Sequence, residues 1–319
     1  MYNKNLLILL LLISIIGNLL ANVHCSYCLS IIDDNFIKYN EKIYHHSCFD
    51  ENIRPQCEKC KMNIESDYKE YNNKLFHPMC YKNIKFPRCD MCNKQIRDDY
   101  FQDLWGNKFH QEHLEQGHKC YYCDRIISEK ITNGGYQIED GRTICSLCES
   151  NKVLLIEEIE QSRKLVLDEL NKAGFKNLPT NVKIVMVDQE KLSLYSGKFL
   201  PGTISLPNIK GYTKSLDGEY VIYILNNTPL IEFEAILAHE YLHVWQLVHN
   251  IKINNELSEG VSSLGNFIIY SKYNDKYSQI KLDQMNSSNY IYRNGYLEVK
   301  NQINKLGWHQ TIKNLLNNY

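Results

Sequence analysis

The chain has 319 residues, 44% hydrophobic and 23% charged, a mixture that permits two compact domains and excludes wholesale disorder. Lys plus Arg total 36 against 37 Asp plus Glu, and the resulting net charge of -1 offers no cationic surplus for a nucleic-acid partner. All 12 cysteines lie between Cys25 and Cys148, so the chain divides by composition into a cysteine-rich first half and a cysteine-free second half.

At the start, Lys4 precedes an apolar run from Leu6 to Leu20 that is broken at Gly17 and Asn18 and closed by the small Ala21. This is the order of a secretory signal, and the run is short for a membrane span, which needs about 20 apolar residues. The expectation is a leader over residues 1–21, removed on export, and a secreted chain that does not associate with a membrane. An uncleaved anchor is the alternative. No second run of spanning length follows.

The cysteines come as CxxC pairs, and the first three pairs, beginning at Cys25, Cys57 and Cys89, recur at a constant interval. Each is followed at a near-constant offset by His45 with Cys48, His77 with Cys80, or His110 with His113. A disulfide framework has no use for histidine at a fixed distance from cysteine, whereas tetrahedral zinc accepts thiolate and imidazole together. Four structural zinc sites are expected. The ligands are Cys25, Cys28, His45 and Cys48; Cys57, Cys60, His77 and Cys80; Cys89, Cys92, His110 and His113; and Cys120, Cys123, Cys145 and Cys148. His118 competes with His113 for the third site. Aromatic residues flank the ligands at Tyr44, Phe49, Phe76 and Tyr81, so each finger has a small core and relies on its metal for folding energy. The domain expectation is a finger region over residues 25–150 and a second domain over 151–319.

In the second half, Val153, Ile156, Ile159, Val166 and Leu170 give the run from Lys152 to Lys172 the spacing of an amphipathic helix. The segments NVKIVMV and YVIYIL read as strands. Thr228 and Pro229 read as the N-cap and first turn of a helix carrying LIEFEAILAHEYLHVWQLV. That helix holds His239, Glu240 and His243 in the HExxH pattern, which sets two imidazoles one turn apart on one face with a carboxylate beside them. A second helix follows, with Leu257, Val261, Leu264 and Ile268 as its apolar stripe. Glu259 on it is the third ligand expected for a catalytic zinc, with Glu256 as the rival, and Gly260 is expected to let this helix approach the first. Glu240 is expected to act as the base and not to bind the metal.

The order of CxxC, His-x-x-Cys and the next CxxC, with the aromatic residues of YHHSCF and FHPMCY, resembles LIM-type zinc fingers. The segment from Cys48 to Cys57 is longer than the junction of a LIM domain. With DGRTICSLCES, ILAHEYLHVW and ELSEG, the region from about Cys89 to Tyr273 is similar to the LIM-domain peptidases that restrict organ size in plants, the DA-one family, and to their bacterial LIM-like relatives. The resemblance implies His239, His243 and Glu259 as zinc ligands and Glu240 as the catalytic base. The ubiquitin-interacting region of the plant members has no counterpart here.

The fold expected from these signals is multidomain: a LIM-like array of zinc-binding β-hairpins, then an α+β metallopeptidase domain of the gluzincin kind. The expected function is hydrolysis of peptide bonds, with the fingers binding protein partners. Glu240 takes a proton from the attacking water, and YVIYIL offers an edge for an extended peptide. Tyr292, Arg293 and His309 are candidates for stabilising the oxyanion. The alternative is a non-catalytic zinc-finger adaptor.

Overall fold

The computed structural model describes residues 23–33, 35–97, 99–197, 209–216, 218–287, 290 and 292–317. The expected leader over residues 1–21 lies outside the described residues. Among the described residues, no helix is long and apolar enough to cross a membrane. The chain forms two compact units, Met1–Pro87 and Arg88–Tyr319, so the third and fourth fingers fall in the same unit as the helical second half.

The first unit holds two fingers of one plan. The first has hairpin β1 (Ile37–Tyr39) and β2 (Lys42–Tyr44) followed by helix α1 (His46–Asn52); the second has β3 (Lys69–Tyr71), β4 (Lys74–Phe76) and α2 (Pro78–Lys85). Asn40 with Glu41, and Asn72 with Asn73, take positive φ at the hairpin tips, the conformation that two-residue turns between twisted strands require. Each core is small: Cys25, Ile32, Tyr44 and Phe49 in one, Cys57, Ile64 and Phe76 in the other.

The second unit repeats the plan twice. The third finger has β5 (Phe101–Gln102), β6 (Lys108–Phe109) and α3 (Gln111–Gln116); the fourth has α4 (Glu129–Thr132), β7 (Gly135–Gln137), β8 (Thr143–Cys145) and α5 (Ser146–Glu149). Beyond them come α6 (Ile156–Ala173), β9 (Lys183–Val187), α7 (Gln189–Tyr195), β10 (Gly211–Leu216), β11 (Glu219–Leu225), α8 (Leu230–Val248), α9 (Asn255–Tyr273), α10 (Lys276–Asn286), α11 (Arg293–Leu306) and α12 (Trp308–Asn317). Small Cys/His-rich hairpin clusters thus precede a mainly helical region.

Helix α8 is the centre of this region. Every residue from Phe233 to Leu242 is buried, as an all-round apolar helix requires, with α6 and α9 packed on it. Gly265 of α9 sits against the backbone of α8 at Ala238 and His239. Gly260 packs instead on Gly295 of α11, so the glycine that admits α9 to α8 is Gly265 and not the one expected. The stripe of α9 includes Leu257, Val261 and Leu264 as read, and continues through Ile269, with Ile268 only half-buried.

The sheet has the order β10-β11-β9, antiparallel between β10 and β11 and parallel between β11 and β9. The strand YVIYIL is therefore central and cannot offer the open edge expected of it. The edge strands are β10 and β9; beside β10, Leu225 N–H donates to Lys210 O at 3.0 Å, which fixes the phase of that ladder. With that phase and the observed register, the peptide groups of Gly211, Thr213 and Ser215 point away from β11. Helix α8 starts one residue later than expected. Pro229 occupies the N-cap, and Thr228 is buried, with its hydroxyl turned back on Leu225 O.

Candidate functional site

In all four fingers the CxxC turn is built alike. The residue after the second cysteine, Leu29, Lys61, Asn93 or Asp124, has φ of 59–63°, and its N–H donates to the carbonyl of the first cysteine at 2.8–2.9 Å. The third ligand, His45, His77, His110 or Cys145, stands at the N-cap of the short helix. The fourth, Cys48, Cys80, His113 or Cys148, falls in its first turn. The buried residue just before, Tyr44, Phe76, Phe109 or Ile144, anchors the pair.

In each finger the four ligand atoms lie within 4.8 Å of one another. His45 Nδ1 is 3.3 Å from Cys28 Sγ and 3.8 Å from Cys48 Sγ, and His77 Nδ1 is 3.4 Å from Cys60 Sγ. These are the edges of a zinc tetrahedron, about 3.5 Å for N to S and about 3.8 Å for S to S. The far nitrogens of His45 and His77 donate to Ile31 O at 3.1 Å and Asn63 O at 3.0 Å, which leaves Nδ1 unprotonated toward the cluster. Burial raises the thiols of Cys25 and Cys57, but backbone N–H groups outweigh it and bring both down to about 6. All twelve cysteines are unbridged, including Cys123 and Cys145, whose sulfurs are 3.7 Å apart.

The third cluster contains His113 and not His118. His113 Nε2 is buried without a hydrogen-bond partner, as a metal-facing nitrogen would be, while His118 O accepts from Ile127 N–H at 2.8 Å and opens the fourth finger.

A fifth cluster lies between α8 and α9. His239 Nε2 and His243 Nε2 are 3.2 Å apart, and Glu259 Oε2 is 3.2 Å from the first and 3.6 Å from the second. Glu256 is exposed and outside it. Asn266 Nδ2 donates to Ala235 O at 3.0 Å, which turns its Oδ1 to accept from His239 Nδ1 at 2.9 Å. His243 Nδ1 donates to Ser262 Oγ at 3.1 Å, and Gln246 Nε2 donates to the same oxygen at 2.8 Å. Both Nε2 atoms thus present lone pairs to Glu259 Oε2, itself buried with no hydrogen-bond donor assigned to it. With a proton on Nε2 the rings and the carboxylate would stabilise each other: burial would raise Glu259, but the two imidazoles hold it below the ordinary carboxylate range; burial would lower His239, but Glu259 and Glu240 hold it up. The donor set and spacing fit a zinc ion with three protein ligands.

Glu240 borders the same cleft, of about 1120 Å³. Thr213 Oγ1 on the edge strand β10 donates to its Oε2 at 2.8 Å, and a Cβ on Gly211 would lie 2.6 Å from its Oε1. The edge of β10 therefore passes close to the carboxylate, and a side chain at position 211 would displace Glu240 or Ile236. Of the three oxyanion candidates, Tyr292 lines the cleft with its ring 5.9 Å from His239. Burial first, then Glu259 and Glu240, raise its hydroxyl and keep it a donor. His309 is exposed on α12, and Arg293 is turned to Asn286 O at 3.3 Å; neither lines the cleft.

One part of the site carried no local signal. Lys210, Glu232 and Lys281 meet along the cleft, and Tyr270 and Tyr277 donate to Glu232 Oε2 at 2.8 and 2.6 Å. The fourth finger is wired to the same region. Arg142, paired to Asp140, donates to Asn226 Oδ1 at 2.6 Å, and the Tyr122 hydroxyl lies 2.9 Å from Thr228 Oγ1.

Comparison with protein-family models and with curated protein sequences finds no match.

Proposed function

We propose that this protein is a zinc peptidase whose second unit hydrolyses peptide bonds, with a gluzincin-like centre, and whose fingers bind protein partners. The observation that carries the reading is the convergence of His239, His243 and Glu259 beside the strand β10, which among the described residues pairs only with β11, with Glu240 next to them and outside the ligand set. Zinc held by those three ligands would supply the Lewis acidity that acidifies a water and polarises a carbonyl. The edge of β10 orients an extended peptide through the outward peptide groups of Gly211 and Thr213. Glu240 takes the proton of the attacking water and passes it to the leaving amine. Thr213 holds the carboxylate in place, and the Tyr292 hydroxyl donates to the developing oxyanion. The resemblance to LIM-domain peptidases supports this reading, and the signal-like start of the chain supports an exported, secreted setting.

Glu240→Gln should keep the zinc content of the wild type and lose peptide cleavage by at least about 1000-fold. Undiminished turnover by that variant removes the assignment. Wild-type protein that carries five zinc ions and cleaves no peptide in a diverse library favours the adaptor reading, for which the four finger clusters are the supporting observation.

A further inference from the structure

The cleft extends beyond the metal cluster along α8. Glu232 precedes His239 by seven residues, which places it roughly 10 Å nearer the start of the helix. There Lys210 Nζ donates to Glu232 Oε1 at 2.6 Å. Lys281 Nζ lies 3.7 Å from Glu232 Oε2 and donates to Tyr122 O at 2.7 Å. With the hydroxyls of Tyr270 and Tyr277 also directed at Oε2, one carboxylate faces two ammonium groups and two further donors. It is already saturated.

The two lysines differ in what else they face. Lys281 is turned to the fourth finger, with Asp124 and the Cys123 thiol in its field. Among the described residues, Lys210 has Glu232 as its one ion-pair partner, and the rings of Tyr121 and Tyr122 lie 5.7 and 5.8 Å from its Nζ. Its side chain is 26% exposed, against 11% for Lys281 and 3% for Glu232. Lys281 has Asp124 as well as Glu232 to face, and of the two ammonium groups that of Lys210 is the more open to the cleft. An ammonium that keeps donors beyond its bond to Glu232, in a partly desolvated recess beside two tyrosine rings, suits a singly charged anion, because a charge-assisted hydrogen bond gains strength where water is excluded.

We propose that Lys210, supported by Lys281 and Glu232, is a substrate subsite that binds a peptide carboxylate about three residues from the bond cleaved. The spacing follows from the roughly 10 Å between Glu232 and His239 and a rise of about 3.3 Å per residue of extended chain. Lys210 immediately precedes β10, so a peptide lying on that edge runs past it. The carboxylate is either an Asp or Glu side chain or a free C-terminus. The assignment rests on the peptidase reading of the cleft.

The test uses the full zinc-loaded chain carrying Glu240→Gln and fluorescein-labelled alanine-rich dodecapeptides. A single Asp is walked along the peptide against its Asn counterpart, each made with a free and an amidated C-terminus, and binding is read by anisotropy. The expected result is at least tenfold tighter binding of the best Asp peptide or of the free C-terminus, reduced to within twofold by Lys210→Met and by Lys210→Gln. Cleavage of the same peptides by protein with Glu240 intact, mapped by mass spectrometry, should place the cut three residues from the carboxylate. Equal binding of Asp and Asn peptides together with no effect of amidation overturns the subsite. So does a preference that survives in a folded, five-zinc Lys210→Met protein. A carboxylate preference without cleavage leaves the subsite standing and removes the peptidase reading; cleavage without the preference does the reverse.

Discussion

The contact between Gly265 and the backbone of α8 makes the cluster of His239, His243 and Glu259 sensitive to a single methyl group. An ideal Cβ at residue 265 would lie 2.5 Å from Ala238 C, 2.6 Å from Ala238 O and 2.7 Å from His239 N. All three are backbone atoms, so no side chain can rotate out of the way. Ordinary carbon contacts begin near 3.5 Å, and Gly265→Ala therefore forces α9 back by roughly 1 Å. Overpacking of this kind costs about 1–3 kcal/mol, which for a domain of this size lowers the unfolding midpoint by about 2–12 °C. The retreat carries Glu259, Ser262 and Asn266 away from the imidazoles they now meet at 3.2, 3.1 and 2.9 Å. Thermal unfolding and zinc competition against a chromophoric chelator would measure both effects. The fifth ion should weaken at least tenfold while the four finger ions keep their affinity. An unchanged midpoint with an unchanged fifth zinc affinity would refute the packing argument.

Asn266→Ala removes the acceptor for His239 Nδ1 and should weaken the fifth zinc about 10–100-fold with little effect on the fingers, measured in the same competition assay. Glu232 is brought down to about 2: burial raises it, and Lys210 and Lys281 outweigh that. A depressed carboxylate contributes stability that is complete above its unfolded value near 4.5 and lost as the pH falls toward 2, a term of about 3 kcal/mol. The difference in urea unfolding free energy between wild type and Glu232→Gln should therefore shrink between pH 6 and pH 3.5, and a constant difference would contradict it. Cys148→Ser should lower the stability of the helical half, because the fourth finger shares its unit and its hydrogen bonds, whereas Cys48→Ser, in the other unit, should leave thermal unfolding of that half unchanged.

The parts of the site legible in the sequence are those set by short-range chain geometry. A CxxC turn carries its two sulfurs together wherever it occurs, and the next ligand pair is placed by a hairpin of nearly constant length, so the four finger clusters could be read from spacing. His239 and His243 share a helix face because they are one turn apart. What spacing does not contain is which neighbour a helix meets. Gly260 and Gly265 are equivalent in sequence terms, and only the crossing of α9 over both α8 and α11 assigns one to each. The strand β10 was missed because Gly211, Thr213, Lys214 and Ser215 give it no apolar period, as an edge strand open to a cleft does not need one.

Lys210, Glu232 and Lys281 illustrate a further limit. They come from the residue before β10, from the first turn of α8 and from the middle of α10, and no local pattern links them. Their meeting depends on the fourth finger, since Lys281 is held by a carbonyl within the Tyr121–Tyr122 turn between its cysteines. The same turn sends the Tyr122 hydroxyl to Thr228, at the entry to the helix that bears His239 and His243. A cysteine cluster with all four residues buried thus supports one wall of the cleft, which gives the fourth finger a structural reason to lie with the helical half and not with the first two. Metal on that finger would order Tyr122, and with it the entry to α8 at Thr228 and the Lys281–Glu232 pair in the cleft wall.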